Sequence, residues 1–310
     1  MSNVLVTGGA GAIGSNLVTF LRKMQHIVTV IDDLSSGYKD NVCDSVNFLQ
    51  GSILDESFLE SVFVNNKIEY VFHLAALFAN QNSVNNPDKD LLVNGLGTLN
   101  VLEKSKLHNV KRVVYTSSSC VYGNMEIMNE NEPLTGILDT PYAITKLLGE
   151  QYCKFYAKFH NLPVTITRLF NSYGPGEQPG KYRNVIPNFF QKATQGESLI
   201  ITGTGQETRD FTYVDDIVSG LYKACFHCSQ NGEIFNLGSG KPTSISELVN
   251  LINKISGNKA QIIYQPRRNW DHVLHRVAVI DKAKNFLGYA PITDIQDGLQ
   301  KTFNWFSQNA

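Results

Sequence analysis

Tyr142-Ala143-Ile144-Thr145-Lys146 follows Pro141 and opens a stretch, to Phe159, whose apolar spacing predicts a helix. Residues four apart on a helix share a face. An ammonium beside a phenol favours the phenolate and makes a general base usable near neutral pH. The spacing alone is also that of an ordinary amphipathic helix with a surface lysine, so it needs a second element. Thr116-Ser117-Ser118-Ser119 closes an apolar run, Arg112–Thr116, that reads as a buried strand. Its hydroxyls then lie at the carboxyl edge of a sheet, where doubly wound folds bind ligands. A hydroxyl there can hydrogen-bond the same substrate oxygen that Tyr142 would deprotonate. The run equally suits a polar strand end with local side-chain turns.

A second constellation opens the chain. Gly8-Gly9-Ala10-Gly11-Ala12-Ile13-Gly14 sits between a short apolar strand, Val4-Leu5-Val6, and a helical pattern of Ile13, Leu17, Phe20, Leu21 and Met24. Such a turn lets the backbone approach a diphosphate, and the helix N-terminus favours its charge. Asp32 ends the next strand-like run, His26–Ile31, where a carboxylate can accept from both ribose hydroxyls of an adenosine and repels a 2′-phosphate. The expected cofactor is NAD rather than NADP.

These positions need a scaffold. Further strands are expected at Val46–Leu49, Tyr70–Leu74 and Val164–Leu169, with helices around Ser57–Val64, Asp88–Ser105 and Tyr142–Phe159. Strands alternating with helices give an α/β fold, a Rossmann-type doubly wound parallel sheet. After Phe170 the pattern changes. Asn171–Asn184 reads as a long functional loop, followed by helices near Ile186–Gln195, Val214–Phe226, Ile245–Ile255 and Ile295–Phe306. The expected division is a dinucleotide-binding domain over 1–170, taking in part of 210–240, and a smaller α+β substrate-binding cap over 171–310.

Composition narrows the classes. The chain has 310 residues, 27 Lys plus Arg against 28 Asp plus Glu, and a net charge of −1, which excludes a strongly basic nucleic-acid binder. No apolar run reaches membrane-span length. The chain enters strand-like sequence at Val4 without a signal-peptide pattern. Five scattered cysteines argue against a disulfide framework, so a reducing cytoplasm is the expected compartment.

In chain order, TGGAGAIG from Thr7, IDDLSSG from Ile31, HLAA from His73, SSSCVYG from Ser117, YAITK from Tyr142, RLFNSYGPG from Arg168, TGTGQETRDFTYVDDIV from Thr202 and FNLGSG from Phe235 span nearly the whole sequence. Together they resemble the extended short-chain dehydrogenase/reductases of the nucleotide-sugar type, the group containing UDP-glucose 4-epimerase. The resemblance implies catalysis by Ser118, Tyr142 and Lys146. It implies cofactor contacts from Gly8, Gly11, Ala12, Ile13, Gly14, Asp32, Asp33, Ser35, Gly37, Ser52, Ile53, Leu74, Ala75, Ala76 and Asn94, with Tyr142 and Lys146. It implies substrate contacts from Ser118, Ser119, Tyr142, Asn171, Asn184, Val185, Arg209, Arg268, Asp271 and Arg276. The ligand would be a nucleotide-diphosphate sugar, its diphosphate met by Asn171 and Arg209, and the same diphosphate and its nucleoside by the Arg268-x-x-Asp271 pair, because a guanidinium fork matches phosphate oxygens. Each arginine taken singly also suits a surface ion pair.

The residues after Ser118 discriminate among the family's reactions. Related 4,6-dehydratases carry an Asp-Glu pair there, and UDP-glucuronate decarboxylases a Glu at the second position. Ser119 and Cys120 supply neither carboxylate, which favours 4-epimerisation over dehydration, decarboxylation, or a 4-ketoreductase or dehydrogenase reaction. Some relatives use a cysteine at position 120 with a Lys or His before a loop proline. Asn184 and Val185 stand there, so Cys120 is expected to be a small packed side chain. Ser52 replaces a usual Asp, Ala12 a usual aromatic, and Arg276 falls near the position that gates sugar size, where it could meet an anionic group. A non-catalytic NAD-binding sensor is the reading from another class; it predicts damage to the Ser–Tyr–Lys set, and all three residues are present. His73 reads as a satisfied core histidine, and Cys225 and Cys228 as core thiols rather than metal ligands. Leu148, Tyr152, Phe155, Tyr156 and Phe159 on the Tyr142 helix suit either core or the four-helix dimer face found in this family, so a homodimer is expected.

Overall fold

The structure is a computed structural model that describes residues 1–78, 80–267 and 273–309. Seven strands form its central sheet: β1 (Asn3–Thr7), β2 (Ile27–Asp32), β3 (Asn47–Gln50), β4 (Tyr70–His73), β5 (Arg112–Ser118), β6 (Val164–Leu169) and β7 (Glu233–Leu237). All neighbours are parallel, in the order β7-β6-β5-β4-β1-β2-β3. The order reverses between β1 and β4, and the crevice beyond the strand ends at such a reversal is where doubly wound sheets hold ligands. The strands are near-continuous apolar runs because both faces are covered by helices.

On one face, α1 (Ala12–Lys23) buries Leu17, Val18 and Leu21 against β1 and β2 in a core that continues to Phe306 at the other end of the chain. On the other face, α2 (Glu56–Asn66) and, after the short helices α3 (Asn80–Asn85) and α4 (Pro87–Asp90), α5 (Thr98–Leu107) and α6 (Pro141–Phe159) enclose a second core around Leu5, Val113 and Ile166. The seventh strand comes from well beyond residue 171, so the chain returns to the sheet after its first excursion.

Three local departures matter for the site. The helix expected over Asp88–Ser105 is broken: Pro87–Asp90 is helical, Leu91–Gly97 forms a π-helical turn, and α5 follows. The wider turn faces Asn94 inward and seats Gly97 where a Cβ would lie 2.4 Å from Ile53 Cδ1. The strand expected to end at Thr116 runs on to Ser118, because Thr116, Ser117 and Ser118 stay in register with Thr167, Arg168 and Leu169 of β6. The loop expected over Asn171–Asn184 carries a short strand, Ser172–Tyr173, paired with Thr212–Tyr213.

The C-terminal region builds small sheets over the strand ends. Thr208–Arg209 pairs with Thr243–Ser244 on one side and His275–Arg276 on the other. The segment 174–177 folds onto the glycine turn, where Asn16 Nδ2 donates to Pro175 O at 2.9 Å and Asn41 Nδ2 to Gly176 O at 2.9 Å. A Cβ on Gly176 would stand 3.3 Å from Ala12 Cα, so the two backbones lie close together. No helix among the described residues is long and apolar enough to cross a membrane.

Candidate active site

Beyond the strand ends lies a cavity of about 1320 Å³. One wall is the turn after β1. Gly8 has φ +71°, and a Cβ there would meet Ala75 N at 2.7 Å; a Cβ on Gly14 would lie 2.2 Å from Gly8 O. Only glycine permits this approach. Gly11 caps α1 without a side-chain bond, and no acidic residue occupies the helix's first turn. Its amides are thus free to face a diphosphate beside Ala12 and Ile13.

Asp32 is held by backbone amides. Its Oδ2 accepts from Ala10 N at 2.9 Å and its Oδ1 from Leu34 N at 2.9 Å, and each oxygen keeps a further lone pair. Burial pushes its carboxyl above the usual range, while these two bonds pull it back. Asp33 accepts from the backbone and hydroxyl of Ser35 at 2.9 and 2.6 Å. Gly37, Ser52, Ile53, Leu74, Ala75 and Ala76 complete this part of the lining. Asn94 is instead buried beside the cavity: its Oδ1 accepts from Leu77 N at 2.8 Å and its Nδ2 donates to Asp90 Oδ1 at 2.8 Å. The geometry fits a dinucleotide through the glycine cradle and Asp32.

Helix α6 delivers the Tyr–Lys pair. Pro141 occupies its first turn, and the Thr140 hydroxyl accepts from Ala143 N at 3.3 Å. Tyr142 and Lys146, 7% and 4% exposed, line the cavity with Ser118 and Ser119. Lys146 Nζ donates to Thr116 O at 2.8 Å and lies 5.8 Å from the Tyr142 ring centre. Burial holds its pKa down at about 8, with Asp90 pulling upward. Burial also pushes the Tyr142 phenol well up, opposed by hydrogen bonding to Ser118. Burial dominates the phenol and no lowering by Lys146 offsets it, contrary to the expectation from spacing. A positive charge over the phenol is what would draw out its proton. Ser118 Oγ accepts from Cys120 N at 3.2 Å, which aims the hydroxyl.

The residues expected to contact substrate lie at and beyond Asn171, apart from Ser118, Ser119 and Tyr142. Asn171, Asn184, Val185, Arg209 and Arg276 all border the cavity. Asn184 Nδ2 is held by Glu177, at 3.0 and 3.1 Å, where it begins α7 (Val185–Gln195). Arg209 Nη1 donates to Thr208 O at 3.0 Å. Arg268 and Asp271 lie outside the described residues. Cys120 is not merely packed: it borders the cavity, and Arg276 Nη1 stands 3.1 Å from its sulfur. That contact comes from a strand more than a hundred residues away, which spacing around Cys120 does not reveal.

His73 is a core residue. Its Nδ1 pairs with Thr7 Oγ1 at 2.7 Å and its Nε2 with Thr98 Oγ1 at 3.0 Å, and burial lowers its pKa to about 3. Cys225 and Cys228 are buried.

Several supporting residues escape a reading of motifs. Tyr142 N donates to Ser83 Oγ at 3.0 Å, and Thr145 Oγ1 to Asp90 Oδ2 at 2.6 Å. Both partners are distant in sequence. Glu150 carries a signal: it repeats the Tyr142–Lys146 step once more along α6. It accepts from Ser117 Oγ at 2.6 Å and from Arg168 Nε and Nη2 at 2.8 Å each.

Comparison with known proteins agrees with this geometry. The family model described as the NAD dependent epimerase/dehydratase family matches residues 4–238. A solved epimerase from Methanothermobacter thermautotrophicus is 48% identical, covers 99% of this chain and 93% of its own, and superposes with a TM-score of 0.96. The Thermotoga maritima UDP-glucose 4-epimerase with UDP-glucose is 35% identical over 99% of both chains, with a TM-score of 0.94. UDP-N-acetyl-alpha-D-glucosaminuronate decarboxylase of Bacillus cytotoxicus is 34% identical over 98% of this chain and 97% of its own. With the Rossmann sheet, the glycine cradle and the Tyr–Lys pair in place, this chain belongs to the NAD dependent epimerase/dehydratase family, and NAD is its cofactor.

Proposed function

We propose that the chain is a nucleotide-sugar 4-epimerase that oxidises C4 transiently and reduces it again on the opposite face. The observation that carries this reading is the make-up of the turn after Ser118. Dehydration needs an acid and a base at the neighbouring carbons, and Ser119 and Cys120 offer no carboxylate.

The glycine cradle and Asp32 would hold NAD, which would supply the hydride acceptor and donor for C4. The protein's own residues handle the proton and the orientation. Tyr142 takes the proton of the C4 hydroxyl and gives it back after the sugar has turned. Ser118 donates to the same oxygen and holds it near the phenol. Lys146, pinned to Thr116 O, supplies positive charge beneath the pair. Asn171, Arg209 and Arg268 hold the ligand's diphosphate and Asp271 its nucleoside while the sugar is released to rotate. Ser118, Tyr142 and Lys146 being intact disfavours the non-catalytic sensor.

A homodimer fits the exposed apolar residues of α6. Ile144, Phe155 and Phe159 are 54%, 46% and 64% exposed, and Leu91, Leu92 and Leu96 stand out from the adjoining π-helical turn. Such a patch marks an association surface.

The test is turnover on a panel of UDP-glucose, UDP-N-acetylglucosamine, UDP-glucuronate and GDP-mannose, with products resolved by chromatography. The reading expects a C4 epimer without accumulation of reduced nicotinamide. Stoichiometric reduced cofactor, loss of water or loss of carbon dioxide would replace it with a dehydrogenase, dehydratase or decarboxylase.

A further inference from the structure

Arg276 brings a guanidinium to the catalytic end of the cavity with no carboxylate against it among the described residues. It sits on the strand His275–Arg276, directly opposite Arg209. Its Nη1 stands 3.1 Å from Cys120 Sγ, its Nη2 reaches Gly123 O at 3.4 Å, and its buried Nε has no hydrogen-bond partner. No ion pair joins it to any described carboxylate. Of the acidic groups that line the cavity, Asp139 forms no ion pair with Arg276, Glu177 is held by Asn184, and Glu207 accepts from Thr204 N and Gly205 N. Asp32 and Asp33 belong to the glycine-turn end.

A thiol and one long carbonyl contact are weak acceptors for a fork of five donors. A partly buried cation so poorly matched is destabilised unless something else supplies negative charge. The place where that charge would arrive is set by Cys120. It lies two residues after Ser118, and its amide bonds the Ser118 hydroxyl. The guanidinium therefore reaches the region beside the carbon whose oxygen faces Ser118 and Tyr142, and Arg209 on the adjacent strand marks the way toward the diphosphate.

We infer that Arg276 recognises a carboxylate carried on a ring carbon next to the reacting one, so that the substrate class is a nucleotide-activated carboxylated sugar. The inference deepens the epimerase reading and rests on it only for which sugar carbon faces Tyr142. Within this class the carboxylate stands either at C6, attached to C5, or on an ether at C3. Both carbons flank C4, and a planar guanidinium suits either group bidentately.

The experiment is calorimetric binding to the purified NAD-loaded protein of UDP-glucuronate, UDP-N-acetylmuramate, UDP-glucose and UDP-N-acetylglucosamine. One of the two carboxylated ligands is expected to bind tighter than its neutral counterpart by about 10- to 100-fold, the range of a hydrogen bond to a charged group. Which one does so locates the carboxylate. Arg276→Met is expected to bring that ratio near one, and Arg276→Lys to keep part of it. Neutral and carboxylated ligands binding equally to the unmodified protein would overturn the inference without need of a variant. So would a preference that persists in Arg276→Met of unchanged melting temperature and NAD content. Binding is read without turnover. A carboxylated ligand that binds selectively but loses carbon dioxide would therefore defeat the epimerase reading and leave this one standing. Unselective binding with C4 epimers formed would do the reverse.

Discussion

Lys146 Nζ donates to the carbonyl of Thr116 at 2.8 Å, so the lysine on the Tyr142 face of α6 is tied to the strand end that bears Ser118. One hydrogen bond thereby joins the two sequence motifs that carry the chemistry. It also fixes a buried cation, which has consequences for activity and for stability.

Removing the phenol oxygen should stop proton transfer and leave the cofactor in place. Tyr142→Phe is expected to lower kcat by about 10²- to 10⁴-fold. NAD released on denaturation should stay stoichiometric, because the glycine cradle and Asp32 are untouched. Loss of NAD along with turnover would make Tyr142 a structural residue.

The Lys146 ammonium titrates at about 8, lowered mainly by burial and raised by Asp90. As pH rises through about 8 the positive charge beneath Tyr142 disappears, so kcat/KM should fall on that alkaline limb. Asp90→Asn removes the upward influence and should move the limb to lower pH. A limb that stays in place would show that Lys146 does not set it.

The same group opposes stability. Its folded pKa lies below that of an unfolded lysine, so the unfolded chain binds more protons between about 8 and 10.4, and stability contributed by this site rises with pH across that window. Below about pH 8 the buried charge is a full penalty. Lys146→Met is therefore expected to raise the melting temperature at pH 7 while turnover is lost, as read by differential scanning calorimetry and by epimer formation on the same samples.

Glu150 and Arg168 form a bidentate pair that is 0% and 2% exposed. Glu150→Gln leaves the Arg168 guanidinium buried without its counter-charge and should cost about 3–5 kcal/mol in urea unfolding. Glu150→Leu combined with Arg168→Met removes both charges and should recover most of that loss.

The scaffold was legible because its signals are local. The apolar runs at Val4–Val6 and His26–Ile31, the glycines after Thr7 and the Pro141 start of α6 each declare an element within a few residues. The glycine cradle, Asp32, Ser118, Tyr142 and Lys146 follow from where those elements end. The break at Leu91–Gly97 was not legible, because apolar spacing cannot distinguish an α-helix from one with a wider turn. Within that turn Asn94 accepts from Leu77 N, a contact that depends on the tertiary fold. Arg276 against Cys120 is likewise a product of tertiary structure, 156 residues apart in sequence. Glu150 could have been found by extending the Tyr142–Lys146 step by one more turn.

The most direct measurement is the fate of a C4-deuterated nucleotide sugar incubated with the NAD-loaded protein in ordinary water. Transient oxidation and return of the same hydride predict a C4 epimer that keeps its deuterium at C4, with no build-up of reduced nicotinamide. Deuterium lost to solvent or stranded on the cofactor, or a product lacking water or carbon dioxide, would contradict 4-epimerisation by this chain.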